Sequence, residues 1–262
     1  MRLTRLIAIG VVAYSVMGCA TQSARPVHWG YEGEKGPSHW GHLTPVYAVC
    51  DTGTIQSPID VPEWVATKQG GLRIDYGTTM LNISHNEHVE EIINNGHTIQ
   101  INVDGDHGIE LDGRRYTLKQ FHFHTPSEHT VDGKRYPMEM HCVHTDSTGA
   151  FAVLGVLFEA RDSTPSAFDK MLPYLPAKKG DQKSFHDVKI DLEKGLPVKR
   201  SAYQYVGSFT TPPCTQDVQW VVMTTPIVVA QRVIDEFSRR LGDNHRPTQP
   251  LNGRTPTLGG SK

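Results

Sequence analysis

Gln120-Phe121-His122-Phe123-His124-Thr125-Pro126-Ser127-Glu128-His129 is the stretch on which the reading of this chain turns. Alternate residues of an extended strand share a face, so His122 and His124 project together with about 6 to 7 Å of backbone between them. A second segment, Pro137-Met138-Glu139-Met140-His141-Cys142-Val143-His144, has the same alternating habit. Between the two lies Val131-Asp132-Gly133-Lys134, and Asp-Gly between strand-like residues is a strong hairpin signal. A two-residue Asp132-Gly133 loop sets His141 opposite His124 and Val143 opposite His122, and directly paired residues share a face. Thr125-Pro126 weighs against an unbroken ladder, because proline carries no donor. The connection then bulges or opens into a wider loop.

Three convergent imidazoles suit zinc, which takes tetrahedral nitrogen coordination. Three protein ligands leave a fourth position for water, as catalysis requires, whereas four would indicate a structural site. A lone histidine is ordinarily a core or surface residue with a hydrogen-bond partner. What changes the reading is the convergence of His122, His124 and His141, flanked by Gln120, Glu128 and Glu139.

The 262 residues contain no internal repeat, low-complexity tract or Gly/Ser-rich linker, which predicts one domain. With 26 basic and 28 acidic residues the formal charge is −2, and no basic run provides a nucleic-acid footprint. Strand-like runs lie at Leu72 to Tyr76, Met80 to Ser84, Val89 to Ile93, Thr98 to Val103, Arg115 to Leu118, Tyr136 to His144 and Phe151 to Glu159. Helical patterning is confined to Ser163 to Leu172 and Pro226 to Leu241, where Val229, Val233, Ile234 and Phe237 share a face. The segment before Cys50, rich in Gly, Pro, Trp and His, reads as irregular coil packed down by Trp29 and Trp40. The predicted class is mainly β (α+β) with small peripheral helices.

Met1-Arg2-Leu3-Thr4-Arg5 is a short basic start, and the almost wholly apolar Leu6 to Met17 that follows is too short for a comfortable membrane span. Residues 1–18 therefore read as an export signal. Val16-Met17-Gly18-Cys19 has the form of a bacterial lipobox, which predicts cleavage before Cys19 and lipid on its thiol. Cleavage nearby with Cys19 incidental is the alternative. A tether over 19–26 and a folded domain over 27–262 follow from this. Ala20 after the cysteine resembles lipoproteins sent to the outer membrane, so the expected location is the periplasm or envelope, with the membrane reached only through the N-terminal lipid. In an oxidising compartment two of Cys50, Cys142 and Cys214 are expected to pair.

QFHFH at 120–124, SEHTVDG at 127–133, EMHCVH at 139–144 and GSFTTPPC at 207–214 together resemble the α-class carbonic anhydrases, the bacterial members in particular. The likeness runs from about Val27 to about Arg254 and takes in HWGY, GPSHW, QSPIDV, NNGH and RPTQPLNGR. It implies a large central twisted, mostly antiparallel β-sheet with one Zn2+ at the base of a conical cavity, held by His122, His124 and His141. The implied activity is reversible hydration of carbon dioxide to bicarbonate and a proton by zinc-bound hydroxide.

By the same resemblance His97 matches a proton shuttle, Thr210 and Glu128 orient the nucleophile, and Thr211 contacts bicarbonate. Gln120 and Glu139 match residues that hold His122 and His141, while Tyr31 and Asn95 match groups that order water. Val143, Val153, Phe209, Val218 and Trp220 match an apolar wall for carbon dioxide, with Phe209 bulkier than the leucine commonest at that place. Cys50 and Cys214 match a disulfide of bacterial relatives, leaving Cys142 as a free, buried hydrophobe. The resemblance implies ester hydrolysis as a side reaction. The rivals are a catalytically silent binding lipoprotein and a zinc buffer, and the chain is expected to be a monomer or homodimer.

Overall fold

The computed structural model describes residues 27–260 apart from 63–64, 69–70, 87–97, 104, 162–163 and 177–179. The export signal, the tether with Cys19, the strand-like run from Val89, and both Asn95 and His97 lie outside the described residues. In chain order the strands are β1 Asp60–Val61, β2 Ala66–Thr67, β3 Leu72–Asp75, β4 Thr78–Asn86, β5 Thr98–Asn102, β6 Gly108–Leu111, β7 Arg114–His124 and β8 Thr130–Val131. They continue with β9 Lys134–Arg135, β10 Met138–Thr145, β11 Phe151–Ala160, β12 Gln182–Asp191, β13 Ala202–Ser208, β14 Gln216–Met223, β15 Ile227–Val229 and β16 Thr257–Gly259. The α-helices are α1 Trp40–Leu43, α2 Val49–Thr52 and α3 Gln231–Leu241.

Among the described residues thirteen strands join one sheet, whose main path is β12-β4-β5-β7-β10-β11-β14-β13-β16-β2, and β1, β8 and β9 form a separate patch. Pairing in the large sheet is mostly antiparallel, with β11–β14, β11–β15 and β16–β2 parallel. Strands β10 and β11 are buried along nearly their whole length because both faces of the sheet are covered. Met140, Cys142, Leu154, Val156 and Val221 face the main core, which α3 closes with Val233, Ile234 and Phe237. Val143, Val153, Val218 and Trp220 face the other way into a second cluster.

A bulge reconciles β7 with this two-sided plan. Val143 pairs with Gln120 but His144 pairs with Leu118, so Lys119 is the extra residue. Tyr116 and Leu118 before it, and Phe121 and Phe123 after it, therefore all reach the main core despite their opposite numbering parity.

The hairpin expectation holds locally and shifts globally. Val131 pairs with Lys134 and Thr130 with Arg135 across a turn in which Asp132 and Gly133 both have positive φ, 49° and 77°. In the main ladder, however, His141 stands opposite His122, and Glu139 opposite His124. After His124 the chain leaves the sheet so that β8 can pair with β1, Thr130 with Asp60. The register moves by two residues, and an even shift leaves every side chain on its expected face.

Two helix expectations need correction. Ile227–Val229 is a strand paired with Phe158 to Ala160, and the helix starts only at Gln231. In the Ser163 to Leu172 region the chain makes 3-10 turns at Ala167–Lys170 and Leu172–Tyr174, the first closed by a Ser166–Asp169 capping box and the second holding Pro173. Strands β1, β2, β6, β12, β13, β14 and β16 lie outside the strand-like runs read from the sequence.

The N-terminal segment winds through short turns instead of plain coil, and its Trp29 and Trp40 pack with Cys50 and Cys214 as a third cluster. A Cys50–Cys214 disulfide closes a loop with a sequence separation of 164, while Cys142 is free and buried. Burial pushes its thiol pKa up to about 12, so Cys142 is a small hydrophobe and not a nucleophile. Replacing Cys50 and Cys214 together by alanine is expected to cost about 3 to 5 kcal/mol of folding stability, read from the urea midpoint of the oxidised parent and the variant.

Candidate metal centre

Strand β7 presents His122 and His124, and β10 presents His141 beside them. The ring centroids are 5.1 Å apart for His122–His124, 5.4 Å for His122–His141 and 4.6 Å for His124–His141. One ring nitrogen from each lies within 4.8 Å of the other two, and all three side chains are buried. Each ring is also held from behind. His122 Nδ1 donates to Gln120 Oε1 at 2.9 Å, and His124 Nδ1 donates to the Asn244 carbonyl at 2.8 Å. His141 Nε2 lies 2.9 Å from Glu139 Oε1. This leaves Nε2 of His122 and His124 and Nδ1 of His141 for a metal, and His124 Nε2 has no hydrogen-bond partner among the described residues.

Burial drives all three pKa values down. His122 falls well below its ordinary value, with the neighbouring imidazoles adding to the effect, and His124 falls to about 4. His141 is lowered by burial against the pull of Glu139. The rings are neutral at pH 7 and their lone pairs are free. Three neutral, pre-oriented nitrogens around one point fit zinc, whose bonds to imidazole are about 2.0–2.1 Å.

Glu139 organises the surroundings. Its Oε2 accepts the backbone amides of Glu128 and His129 at 2.9 and 2.8 Å, and its Oε1 accepts His129 Nδ1 at 2.7 Å. Burial alone would raise this carboxyl, but His129, His141 and the hydrogen bonds override it and hold the pKa well below the usual range. His129 Nε2 then accepts from the Tyr205 hydroxyl at 2.6 Å, which lies 2.9 Å from Ser57 Oγ.

Glu128 accepts the Arg246 amide on Oε1 at 2.8 Å, and its Oε2 stands 3.6 Å from His124 Nε2. Burial raises its pKa, partly offset by His141, by the Thr210 hydroxyl hydrogen bond and by that amide. Thr210 and Thr211 are both buried at this end of the site, and the Thr211 carbonyl accepts Cys214 N at 2.8 Å.

On the other side, Val143 pairs with Val153, Val153 with Trp220 and Val218 with Gly207, and Phe209 joins the same buried cluster. The Trp220 ring lies 4.8 Å from that of His141. Tyr31 packs edge-on against both Trp29 and Trp40, and burial raises its hydroxyl pKa well above normal.

Several residues of this constellation went unassigned in the sequence reading: His129, Tyr205, Ser57, Asn244 and Gln100. Asn244 acts through its main-chain carbonyl, for which no residue type is a signal. Gln100 sits opposite His122 on β5, and strand parity around His122 could have found it.

The eukaryotic-type carbonic anhydrase family matches residues 35–257. The chain belongs to this family. A carbonic anhydrase of Nostoc sp. is 38% identical over 97% of this chain and 95% of its own length. One of Neisseria gonorrhoeae is 37% identical over 97% of this chain and 95% of its own. Among solved structures, the α-carbonic anhydrase of Thermovibrio ammonificans in complex with sulfanilamide superposes with a TM-score of 0.81 at 39% identity, covering 90% of this chain and 100% of that one.

In this carbonic anhydrase Gly155 stands opposite His141, where an added Cβ would sit 2.9 Å from Glu139 Oε1. Gly155→Ala is expected to displace the carboxylate and weaken zinc binding about tenfold or more, measured by competition with a chelating dye. Unchanged affinity would mean that Glu139 yields without consequence.

The metal-free protein should also lose stability with acid. Folded His122, His124 and His141 bind protons more weakly than the unfolded chain does, so the unfolded state gains protons first as the pH drops below about 6.5. Glu139 adds to this as the pH falls below the ordinary carboxylate value of about 4.3 towards its depressed pKa, and Glu128, raised by burial, opposes it in part. The thermal midpoint of chelator-treated protein is expected to decline from pH 6.5 to pH 4. A flat profile would contradict neutral buried ligands.

Proposed function

We propose that this carbonic anhydrase hydrates carbon dioxide reversibly, using one zinc ion held by His122, His124 and His141. The reading is carried by three neutral imidazoles that converge on one point, two of them oriented by hydrogen bonds to Gln120 and the Asn244 carbonyl and the third with Glu139 Oε1 2.9 Å away. Zinc at such a site would supply Lewis acidity that brings the pKa of a coordinated water to about 7, as in the carbonic anhydrase family.

The chain's own groups do the positioning. Glu128, fixed by the Arg246 amide, accepts a hydrogen bond from the Thr210 hydroxyl. The Thr210 oxygen is then left to accept the hydrogen of the attacking oxygen, which turns a lone pair of that oxygen towards carbon. Val143, Val153, Val218, Trp220 and Phe209 offer carbon dioxide a dry surface, and an uncharged linear molecule needs little else. Thr211 contacts bicarbonate. His97, whose type titrates near pH 6.5, carries the released proton outward along water ordered by Asn95 and Tyr31.

Export on residues 1–18 and lipid on Cys19 would place this activity in the bacterial envelope. Carbon dioxide hydration measured before and after chelation, then after zinc is returned, tests the whole reading. The rate is expected to fall to the uncatalysed level and recover. His124→Ala should bind no zinc and stay inactive. A metal-independent rate, or none in the zinc-loaded protein, would favour the binding-lipoprotein alternative.

A further inference from the structure

Behind the metal ligands the sheet has a cavity that the proposed reaction does not use. Phe121 precedes His122 on β7, and Met140 and Cys142 flank His141 on β10, so these three side chains leave the sheet on its opposite face. With Leu118, Phe168 and Met171 they line an apolar cavity of about 20 Å³, room for one water-sized group. The lining offers water little, because the Tyr76 hydroxyl is already bonded to His144 Nε2 at 2.6 Å. The methyl end of a hydrocarbon chain would instead meet apolar contacts on most sides.

The cavity adjoins the surface. Ala167, Met171, Ile190 and Asp191 line both it and a groove of about 800 Å³, which lies between the 3-10 turns at Ala167–Lys170 and Leu172–Tyr174 and the end of β12. Three exposed lysines, Lys170, Lys189 and Lys194, also line this groove. Asp191 is the one carboxylate in the lining, and Lys194 Nζ holds it at 3.2 Å. Asp169, next to Lys170, is taken by Arg232. Among the described residues neither Lys170 nor Lys189 has an ion-pair partner. The surrounding sequence has the same bias, with eight Lys and Arg against four Asp and Glu over residues 170–200 in a chain of formal charge −2.

We propose that groove and cavity together bind a single-chain anionic amphiphile of the fatty-acid class. Its carboxylate lies at Lys170 and Lys189, its chain runs over Ala167, Met171 and Ile190, and its end enters the cavity behind His122 and His141. Uncompensated cations beside an apolar floor complement that one combination of head and tail. Met140 and Met171 are unbranched and polarizable, which suits a guest of variable outline.

The test is titration calorimetry on zinc-loaded protein with decanoate as the probe, kept below its micelle concentration. Decanoate is expected to bind one to one. Decanol, which keeps the chain without the charge, and butyrate, which keeps the charge without the chain, should each bind about tenfold more weakly or less. The Lys170→Gln, Lys189→Gln double variant should lose about tenfold in decanoate affinity and leave decanol unchanged. Ala167→Leu, at the junction of groove and cavity, should weaken both ligands. Because a carboxylate is also a zinc ligand, the titration is repeated with saturating sulfanilamide, and the decanoate affinity should not change.

Butyrate binding as tightly as decanoate would mean an anion site only, and displacement by sulfanilamide would mean binding at the metal; either overturns the proposal. So would a decanoate affinity within twofold of the parent in the lysine double variant, or an unchanged one in Ala167→Leu. Capture of the protein by phosphatidylglycerol vesicles without any binding of dispersed decanoate would make this face a membrane contact and refute the single-chain site. If Ala167→Leu fails to fold, the lysine variant, altered only at exposed positions, and the butyrate comparison decide. Binding is read directly, so the outcome does not depend on whether the protein hydrates carbon dioxide.

Discussion

The buried carboxylate of Glu139 is the interaction on which the rest of the site leans. A charge removed from water is costly unless its lone pairs are taken up, and here two backbone amides and His129 Nδ1 do so while His141 Nε2 lies alongside. Each partner comes from a feature that the site needs. The amides belong to Glu128 and His129, in the loop that leaves the sheet after His124, and the fourth neighbour is a candidate metal ligand. Anchoring that loop to β10 sets where the Glu128 carboxylate stands, so one acceptor fixes both a ligand and the group proposed to orient the nucleophile.

The anchoring continues away from the metal. His129 links Glu139 to Tyr205 on β13, and Tyr205 reaches Ser57, which accepts the Ser208 amide at 3.1 Å while the Ser57 amide donates to Ser208 Oγ at 2.9 Å. Arg246 closes the circuit from the other end. Its guanidinium, almost wholly buried, donates to Gln56 Oε1 and to the carbonyls of Ser57 and Cys50, while its amide holds Glu128. Burial lowers its pKa to about 10, which still leaves it cationic at neutral pH. Segments near residues 50, 57, 128, 205 and 246 thus meet through hydrogen bonds that a purely apolar core would not specify.

Much of this was legible from the chain. Alternation in Phe121-His-Phe-His and in Met138 to His144 identified the two central strands, and the shared face of His122, His124 and His141 is unaffected by the register difference because the shift is even. The turn chemistry of Asp132-Gly133 was right for the residues next to it and silent about Thr130, whose pairing with Asp60 takes that hairpin out of the main sheet. The bulge at Lys119 left no mark in residue type. Strand β15 was hidden because Ile227 to Val229 fits an apolar helix face as well as a buried parallel strand, and only its pairing with β11 decides between them. His129 was visible but unassigned, since its role depends on a partner ten residues away.

The chemistry of the three orienting acceptors bears on why the ligands are neutral. Gln120 and the Asn244 carbonyl are uncharged, and of the three acceptors only Glu139 carries a formal charge. A dication held by three neutral nitrogens keeps nearly its full charge, whereas thiolates or directly bound carboxylates would cancel much of it and weaken its hold on an anion. The two buried carboxylates, Glu128 and Glu139, sit instead one layer out, where they order donors without cancelling charge at the metal. Arg246 beside Glu128 limits the negative potential they create. In this arrangement buried charge enforces the geometry around the histidines, while the rings themselves stay neutral, as the proposed zinc site would need in order to act on water.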